Sequence, residues 1–506
     1  MSMMGPFQTT ALNLGTEVLV RAGPGLAQIG PVRQAIVHRV ESAMMDGLKR
    51  SRRTGQYPPG VDEERTLMGL ALLHTVERAV TDHSLSPAGR RCLFKNLVQT
   101  LLVEQGDHAA MAGFNAQHGV DPPFFMTISP SKACNLHCTG CYADSGPQAK
   151  KLDWATFDRL VGEAKTLWGA RFFAISGGEP LAYRSDGKGV LDLAEKHQDC
   201  LFVMFTNGTL IDEGLAARLA RLGNLTPALS LEGWRERTDA RRGPGVFGKV
   251  LAAMQDLRTA GVPYGVSLTA TRHNAEEILS DEFVDFCFEH QGALYGFIFQ
   301  YMPIGRSFTL DLMPTPQQRL WMWRRSWEII RERQIFLADF WNHGTLSQGC
   351  ISAGRDNGGG YLYVDWNGAV SPCVFMPYSP VNINDAYAEG KTLNDVWAEP
   401  FFAGLREWQR PYRQNKGNWL MPCPMRDHHA DLRRLLAEHE PEPTDANAAA
   451  ALLDAGYVRG LAEYDAAYEA ASGPIWDQHY LRPRVDSDGD FRPLPEVGEA
   501  GDGAQF

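Results

Sequence analysis

The stretch FFMTISPSKACNLHCTGCYAD, residues 124–144, decides how this chain is read. Its first part, Phe124–Ser129, is a short β-rich apolar run. Its second part places Cys134, Cys138 and Cys141 within eight positions, in the loop at the C-terminal end of that strand. Three thiols on one short loop can converge on one metal centre. A closed zinc site takes four protein ligands, and this loop offers no fourth apart from His137, inside the motif. A cubane 4Fe–4S cluster held by three cysteines leaves one iron free for another ligand. Spacing alone therefore admits an iron-sulfur cluster, a zinc ion or unconnected buried thiols.

Working outward, the same rhythm repeats. Apolar runs at Phe172–Ser176, Phe202–Thr206, Ala228–Leu231, Tyr264–Thr269 and Gly296–Tyr301 alternate with amphipathic stretches at Thr156–Leu167, Gly189–His197, Asp212–Leu222, Phe247–Ala260 and Ala275–His290. Each stretch is long enough for a crossover helix. Six βα units predict a parallel sheet, either a partial (β/α)6 TIM-like barrel or a doubly wound sheet, with its active face at the C-terminal strand ends. The strand ends carry Gly177-Gly178-Glu179-Pro180, Thr206-Asn207-Gly208 and Ser230-x-Glu232.

With these loops in place, residues 122–310 resemble the radical S-adenosylmethionine (radical SAM) superfamily, whose cluster motif has this three-cysteine spacing after strand one. The resemblance implies a 4Fe–4S cluster on Cys134, Cys138 and Cys141, with S-adenosylmethionine on the open iron. One electron breaks the C5'–S bond, and the 5'-deoxyadenosyl radical abstracts hydrogen from an unactivated carbon. The protein positions the reactants and excludes water. Gly177 and Gly178 lack a Cβ and would let backbone approach the ligand amine, with Glu179 and Pro180 fixing their loop. Thr206 and Asn207 would line the next strand end, Ser230 and Glu232 would hold ribose hydroxyls and the amino group, and Arg242 would neutralise the methionyl carboxylate. Tyr142 and Ile304 would contact adenine. A reductant such as flavodoxin or ferredoxin would supply the electron.

A second set, Cys350, Cys373 and Cys423, resembles the SPASM or twitch extension that holds auxiliary 4Fe–4S clusters. The match is partial, because Arg426 stands where a Cys-x2-Cys pair would end. One auxiliary cluster is therefore expected, with an open iron or with Asp427, His428 or His429 as fourth ligand. Cys92, Cys200 and Cys287 read as core residues. Asn367-Gly368 between Tyr361–Asp365 and Ala369–Cys373 predicts a hairpin. The expected organisation is a helical N-terminal domain over 1–118, the radical SAM core over 119–310, a connecting helix over 311–345 and a small α+β cluster-binding domain over 346–435. A linker, an Ala-rich helical segment and a disordered acidic tail fill 436–506. Asp486, Asp488 and Asp490 imitate a calcium loop, but Phe491 stands where glycine is required.

Composition bounds the rest. The chain has 506 residues, 44% hydrophobic and 22% charged, so it is globular. With 49 Lys+Arg against 60 Asp+Glu, its net charge of -11 has the wrong sign for wrapping nucleic acid. Nine cysteines are too few for a secreted disulfide framework, no apolar run reaches the roughly 20 residues of a spanning helix, and Met1–Thr10 is unlike a signal peptide. A cytoplasmic enzyme is expected. Two substrate readings stay open: a peptide, since auxiliary-cluster domains accompany peptide maturases, or a lipid or small metabolite. The basic amphipathic helix Val32–Arg53 suits the second through a peripheral membrane contact of the N-terminal domain.

Overall fold

The computed structural model describes residues 30–55, 57–81, 85–92, 108–147, 150–482 and 491–497. The Cys92 side chain, the expected helix end near Leu101, the Asp486–Asp490 run and Met1–Thr10 lie outside the described residues.

Period-two patterning assembles the sheet. Along β1 (Phe125–Ile128), β2 (Phe172–Ile175), β3 (Leu201–Thr206), β4 (Leu225–Leu231), β5 (Gly265–Ala270), β6 (Tyr295–Gln300) and β7 (Phe336–Asp339), alternate side chains join one continuous core. Met126, Phe173, Met204, Leu229, Leu268 and Ile298 are examples. These strands pair in chain order and in parallel. Six were expected. The seventh follows the helix Pro316–Arg333 and is only four residues long, too short to register as a periodic signal.

The hairpin forms as expected, β8 (Tyr361–Val364) turning through Gly368 into β9 (Ala369–Ser371). Its placement was not foreseen: β8 lies parallel against the free side of β1, Phe125 opposite Tyr361. β10 (Tyr378–Ser379) leaves this sheet to pair with β12 (Glu442–Pro443), so the expected linker contributes a strand, while β11 (Val381–Asn382) returns to β9. The ten-stranded sheet runs β11-β9-β8-β1-β2-β3-β4-β5-β6-β7 and does not close on itself, which makes it a partial barrel with a hairpin extension.

The crossover helices carry their own end signals. Asp153 caps Trp154–Trp168 by accepting from the Thr156 amide at 2.8 Å, and Gly169 ends it in the left-handed region. The stretch expected as one helix over Ala275–His290 is broken. Ser280 caps a new turn, giving Ala275–Ile278, Asp281–Asp285 and a π turn over Phe286–His290.

The N-terminal helices close one side of the molecule. Gly30–Thr54 buries Ile36, Val40 and Leu48 while packing along Pro59–Thr81, so these residues of its apolar stripe are used inside the protein. The second helix buries an acidic run. Glu63 pairs with Arg52 at 2.8 Å and with Arg492 at 3.0 Å, and Glu64 accepts from Thr345 and Tyr480. The tail expected to be disordered is therefore structured in part: Phe491, Leu494 and Val497 pack on the core beside the Arg492 ion pair.

Burial pushes Glu64 up to about 8, against the hydrogen bonds it accepts, so the folded state holds it neutral near pH 7. Between the ordinary 4.5 and about 8 the unfolded chain releases this proton while the folded chain keeps it. Stability present at acid pH is thus lost as pH rises through that window, by up to about 1.4 kcal/mol per unit. In thermal melts from about pH 5 to about pH 8, Glu64→Gln should flatten the decline of Tm seen in the wild type.

Candidate functional site

The first cysteine triad sits on a loop that is held both by its own hydrogen bonds and by the neighbouring strand-end loops. The Cys134 amide donates to Gly146 O at 2.7 Å, and the amides of Gly178 and Glu179 donate to Ser131 O and Ala133 O, both at 2.8 Å. A Cβ on Gly178 would stand 2.1 Å from Ala133 O, and one on Gly177, at φ +112°, 2.7 Å from Ser131 O. The glycines are therefore needed for the loop after β2 to lie on the cysteine loop, a reason beside the close ligand approach expected of them.

Glu179 is fully buried and accepts from Leu181 N at 3.0 Å, Thr206 Oγ1 at 2.7 Å and Asn207 N at 2.8 Å, which locks the second strand end to the third. Burial raises its pKa despite these donors. Pro180 opens a short 3-10 turn behind it. Asn207 donates to Cys134 Sγ at 3.7 Å and to Asn135 Oδ1 at 2.9 Å. Ser230 donates to Thr206 O at 3.0 Å. The hydroxyls of Thr206 and Ser230 are thus engaged within the scaffold.

Glu232 differs. Its Oε1 accepts from Arg241 at 2.6 Å and from Arg242 Nε at 2.7 Å, while Oε2 is buried with no hydrogen-bond partner. Burial works against the Arg242 charge, but Glu232, Cys138 and Cys141 outweigh it and raise the pKa of its guanidinium. Two half-buried guanidinium groups against one buried carboxylate leave a cationic excess beside the thiols. An unpaired carboxylate oxygen and that excess fit a zwitterionic ligand with hydroxyl or ammonium donors and a carboxylate. Burial pushes Cys134 up to about 11, so a bound metal must draw off its proton.

Tyr142 has its hydroxyl 2.6 Å from Ser176 Oγ and accepts from Gly177 N at 3.1 Å. It shares with Ile304 the wall of a cavity of about 320 Å³, bounded also by Lys132, Asp144, Asp365 and Trp366. The structure therefore brings Tyr142 and Ile304 together, as expected of residues contacting one ligand. Arg306 went unnoticed in the sequence. Its amide donates to Cys141 O at 2.9 Å, its guanidinium donates to Cys138 O and Ser145 O, and it pairs with Asp144 at 3.3 Å. Arg241 was missed likewise, its Nε donating to Thr139 O at 3.1 Å. No local pattern marks either one, because their partners on the cysteine loop lie over 100 residues away.

Cys350, Cys373 and Cys423 also come together. Cys373 feels both other thiols, and burial raises all three, Cys423 to about 11. Tyr361 donates to Cys373 Sγ at 2.9 Å, and Ser352 Oγ lies 3.1 Å from Cys350 Sγ. Of the expected fourth ligands, Asp427 is bound in a buried ion pair to Arg319 and accepts from the Cys423 amide. His428 Nε2 lies 2.8 Å from Met421 O. His429 Nε2 is buried without a partner. Arg426 is wholly buried, bonded to Gln300 at 2.9 Å, with Nη2 unpaired. Cys200 and Cys287 are buried apart from both sets. Among the described residues no group of three or more His, Cys, Asp or Glu side chains is disposed to hold a single metal ion.

The sequence profile described as Radical SAM superfamily matches residues 128–281. The chain is 30% identical over 309 residues to the mycofactocin maturase MftC of Mycobacterium ulcerans, spanning 58% of this chain and 79% of that protein. It is 28% identical over 309 residues to the AdoMet-dependent heme synthase of Methanosarcina barkeri, spanning 54% and 82%. Among solved structures, Streptococcus suis SuiB bound to precursor peptide SuiA aligns with a TM-score of 0.48 at 20% identity, over 59% of this chain and 70% of that one.

The clamp on the cysteine loop is testable at Gly305, whose φ is +72° and where a Cβ would meet Tyr142 O at 2.0 Å. Gly305→Ala should keep its far-ultraviolet circular dichroism yet lose about four iron atoms per chain after anaerobic reconstitution. Gly162→Ala, where a Cβ meets nothing within 4 Å, should lose none.

Proposed function

The chain belongs to the radical SAM superfamily, and on that footing we propose that it modifies a peptide by hydrogen-atom abstraction. Membership implies a 4Fe–4S cluster and S-adenosylmethionine. When bound, that pair supplies a 5'-deoxyadenosyl radical able to take hydrogen from an unactivated carbon. Cys134, Cys138 and Cys141 hold the cluster, on a loop set in place by Arg306, Arg241 and the strand-end loops. Glu232 Oε2 accepts from the ribose hydroxyls or amino group of S-adenosylmethionine, and Arg242 takes its carboxylate. Tyr142 and Ile304 flank the adenine. Gly177, Gly178, Glu179, Pro180, Thr206, Asn207 and Ser230 shape the wall against which it lies.

Cys350, Cys373 and Cys423 hold one auxiliary 4Fe–4S cluster. Asp427 is spoken for by Arg319 and His428 by a backbone carbonyl, which leaves His429 as the available fourth ligand or the fourth iron open. Flavodoxin or ferredoxin supplies the electron. No helix among the described residues is long and apolar enough to cross a membrane, and the reading places the enzyme in the cytoplasm.

The observation that carries the chemistry is the unpaired, buried Glu232 Oε2 beside a three-cysteine loop. The peptide substrate rests on the similarity to a protein named a maturase. The heme synthase relative keeps a small-molecule substrate as the second reading.

Anaerobically reconstituted protein should bind about eight iron atoms, and replacing Cys134, Cys138 and Cys141 by Ala should leave about four. Reduced with dithionite, it should release 5'-deoxyadenosine from S-adenosylmethionine. Cys138→Ala should abolish release, whereas Cys287→Ala should not. Absence of the nucleoside from iron-replete wild type refutes the chemistry. A mass change in a small metabolite, with none in any short peptide encoded beside the gene, moves the substrate to the second reading.

A further inference from the structure

Toward the C-terminal ends of β1, β2, β4 and β5 the face turned away from the helices carries small or hydroxyl side chains, namely Thr127, Ala174, Ser230, Ser267 and Thr269, with the rings of Phe125 and Phe172 below them on β1 and β2. On β3 and β6 the same face carries Phe205, Phe297 and Phe299, and Phe340 follows β7. These four rings are only partly buried although they lie inside the curve of the sheet. They form one wall: Phe205 sits 5.6 Å from Phe297 and 5.3 Å from Phe299, and Phe299 sits 5.7 Å from Phe340, ring centre to ring centre.

Phe375, two residues beyond Cys373, closes the top. Its ring lies 5.9 Å from Phe299, 5.8 Å from Phe340 and 5.8 Å from Tyr142, the residue after Cys141. An aromatic surface therefore runs between the two cysteine triads, its rings partly exposed and facing the small side chains at the C-terminal ends of β1, β2, β4 and β5. No position on this face of β1 to β7 carries a charge. Such a lining offers no countercharge to a phosphate, a carboxylate or an ammonium group. It presents ring faces and edges for another ring to stack on or abut, and it sheds water from the place where hydrogen is abstracted.

We infer that this open lumen binds an aromatic side chain of the substrate, held against Phe205, Phe297, Phe299 and Phe340 beneath Phe375. The inference rests on the peptide reading above and deepens it by naming the residue class that enters.

Saturation-transfer NMR on the anaerobic holoenzyme with S-adenosylmethionine tests it. The probes are p-cresol and three peptides of Gly, Ser and Asn that carry a central Tyr, Ala or Lys. The Tyr peptide should bind about tenfold tighter than the others, with transfer centred on its ring protons. Phe299→Ala and Phe340→Ala should each erase most of that preference while iron content and circular dichroism stay unchanged, and Phe299→Tyr should restore it. If no peptide binds but p-cresol binds in a Phe299-dependent way, the aromatic site stands and the peptide reading fails. If the Tyr, Ala and Lys peptides bind equally, or if neither the Tyr peptide nor p-cresol responds to Phe299→Ala, the inference is overturned.

Discussion

The loop that carries Cys134, Cys138 and Cys141 is neither helix nor strand, so its backbone is held in part from outside. That constraint organises the barrel face. The loop after β2 lies on the residues before Cys134, Asn207 reaches Cys134 from the loop after β3, Arg241 grips Thr139 after β4, and Arg306 wraps Cys138 and Cys141 after β6. Four strand ends thereby serve one stretch of the loop, residues 131–141. The glycines at 177, 178 and 305 follow from this crowding, since a side chain at any of them would occupy the place of a loop carbonyl.

The second triad is tied to the first through buried charge. Asp427, four residues beyond Cys423, is held down to about 2 because Arg319 and Arg426 outweigh the effect of burial. Arg426 continues to Gln300 at the end of β6, and Gln300 donates to Asp339 at the end of β7. A buried ion pair of this kind contributes little net stability, yet removing one partner leaves a charge stranded in the interior. Its effect here is geometric. It fixes the Cys423 turn to the strand ends that carry the first site.

Between the triads the chain changes character from charged to aromatic. Tyr142 and Phe375 meet there, each one or two residues from a cysteine of its own triad, and the phenyl rings of β3 and β6 extend below them. Ionic contacts locate the two cysteine-bearing loops at the rim, while the lumen beneath is lined by rings and by small and hydroxyl side chains without charge. For radical chemistry this division is apt, because the reactive carbon then meets few groups that could quench it.

What the sequence determined by itself is what lies close along the chain. The two cysteine spacings, the six βα repeats, the Gly-Gly-Glu-Pro loop and the Asn-Gly hairpin were legible because strand period, turn chemistry and ligand spacing are local properties. The strand β7, the broken helix after Ala275 and the structured piece of the tail were not, since four apolar residues, a serine cap or one Arg492 ion pair leave no periodic trace. Only the tertiary structure decided that β8 joins the free side of β1 and that Arg306 and Arg241 hold the cysteine loop. The reason is sequence distance. Packing of the folded sheet brings residues more than 100 positions apart within hydrogen-bond reach, and no spacing rule reads across such a gap.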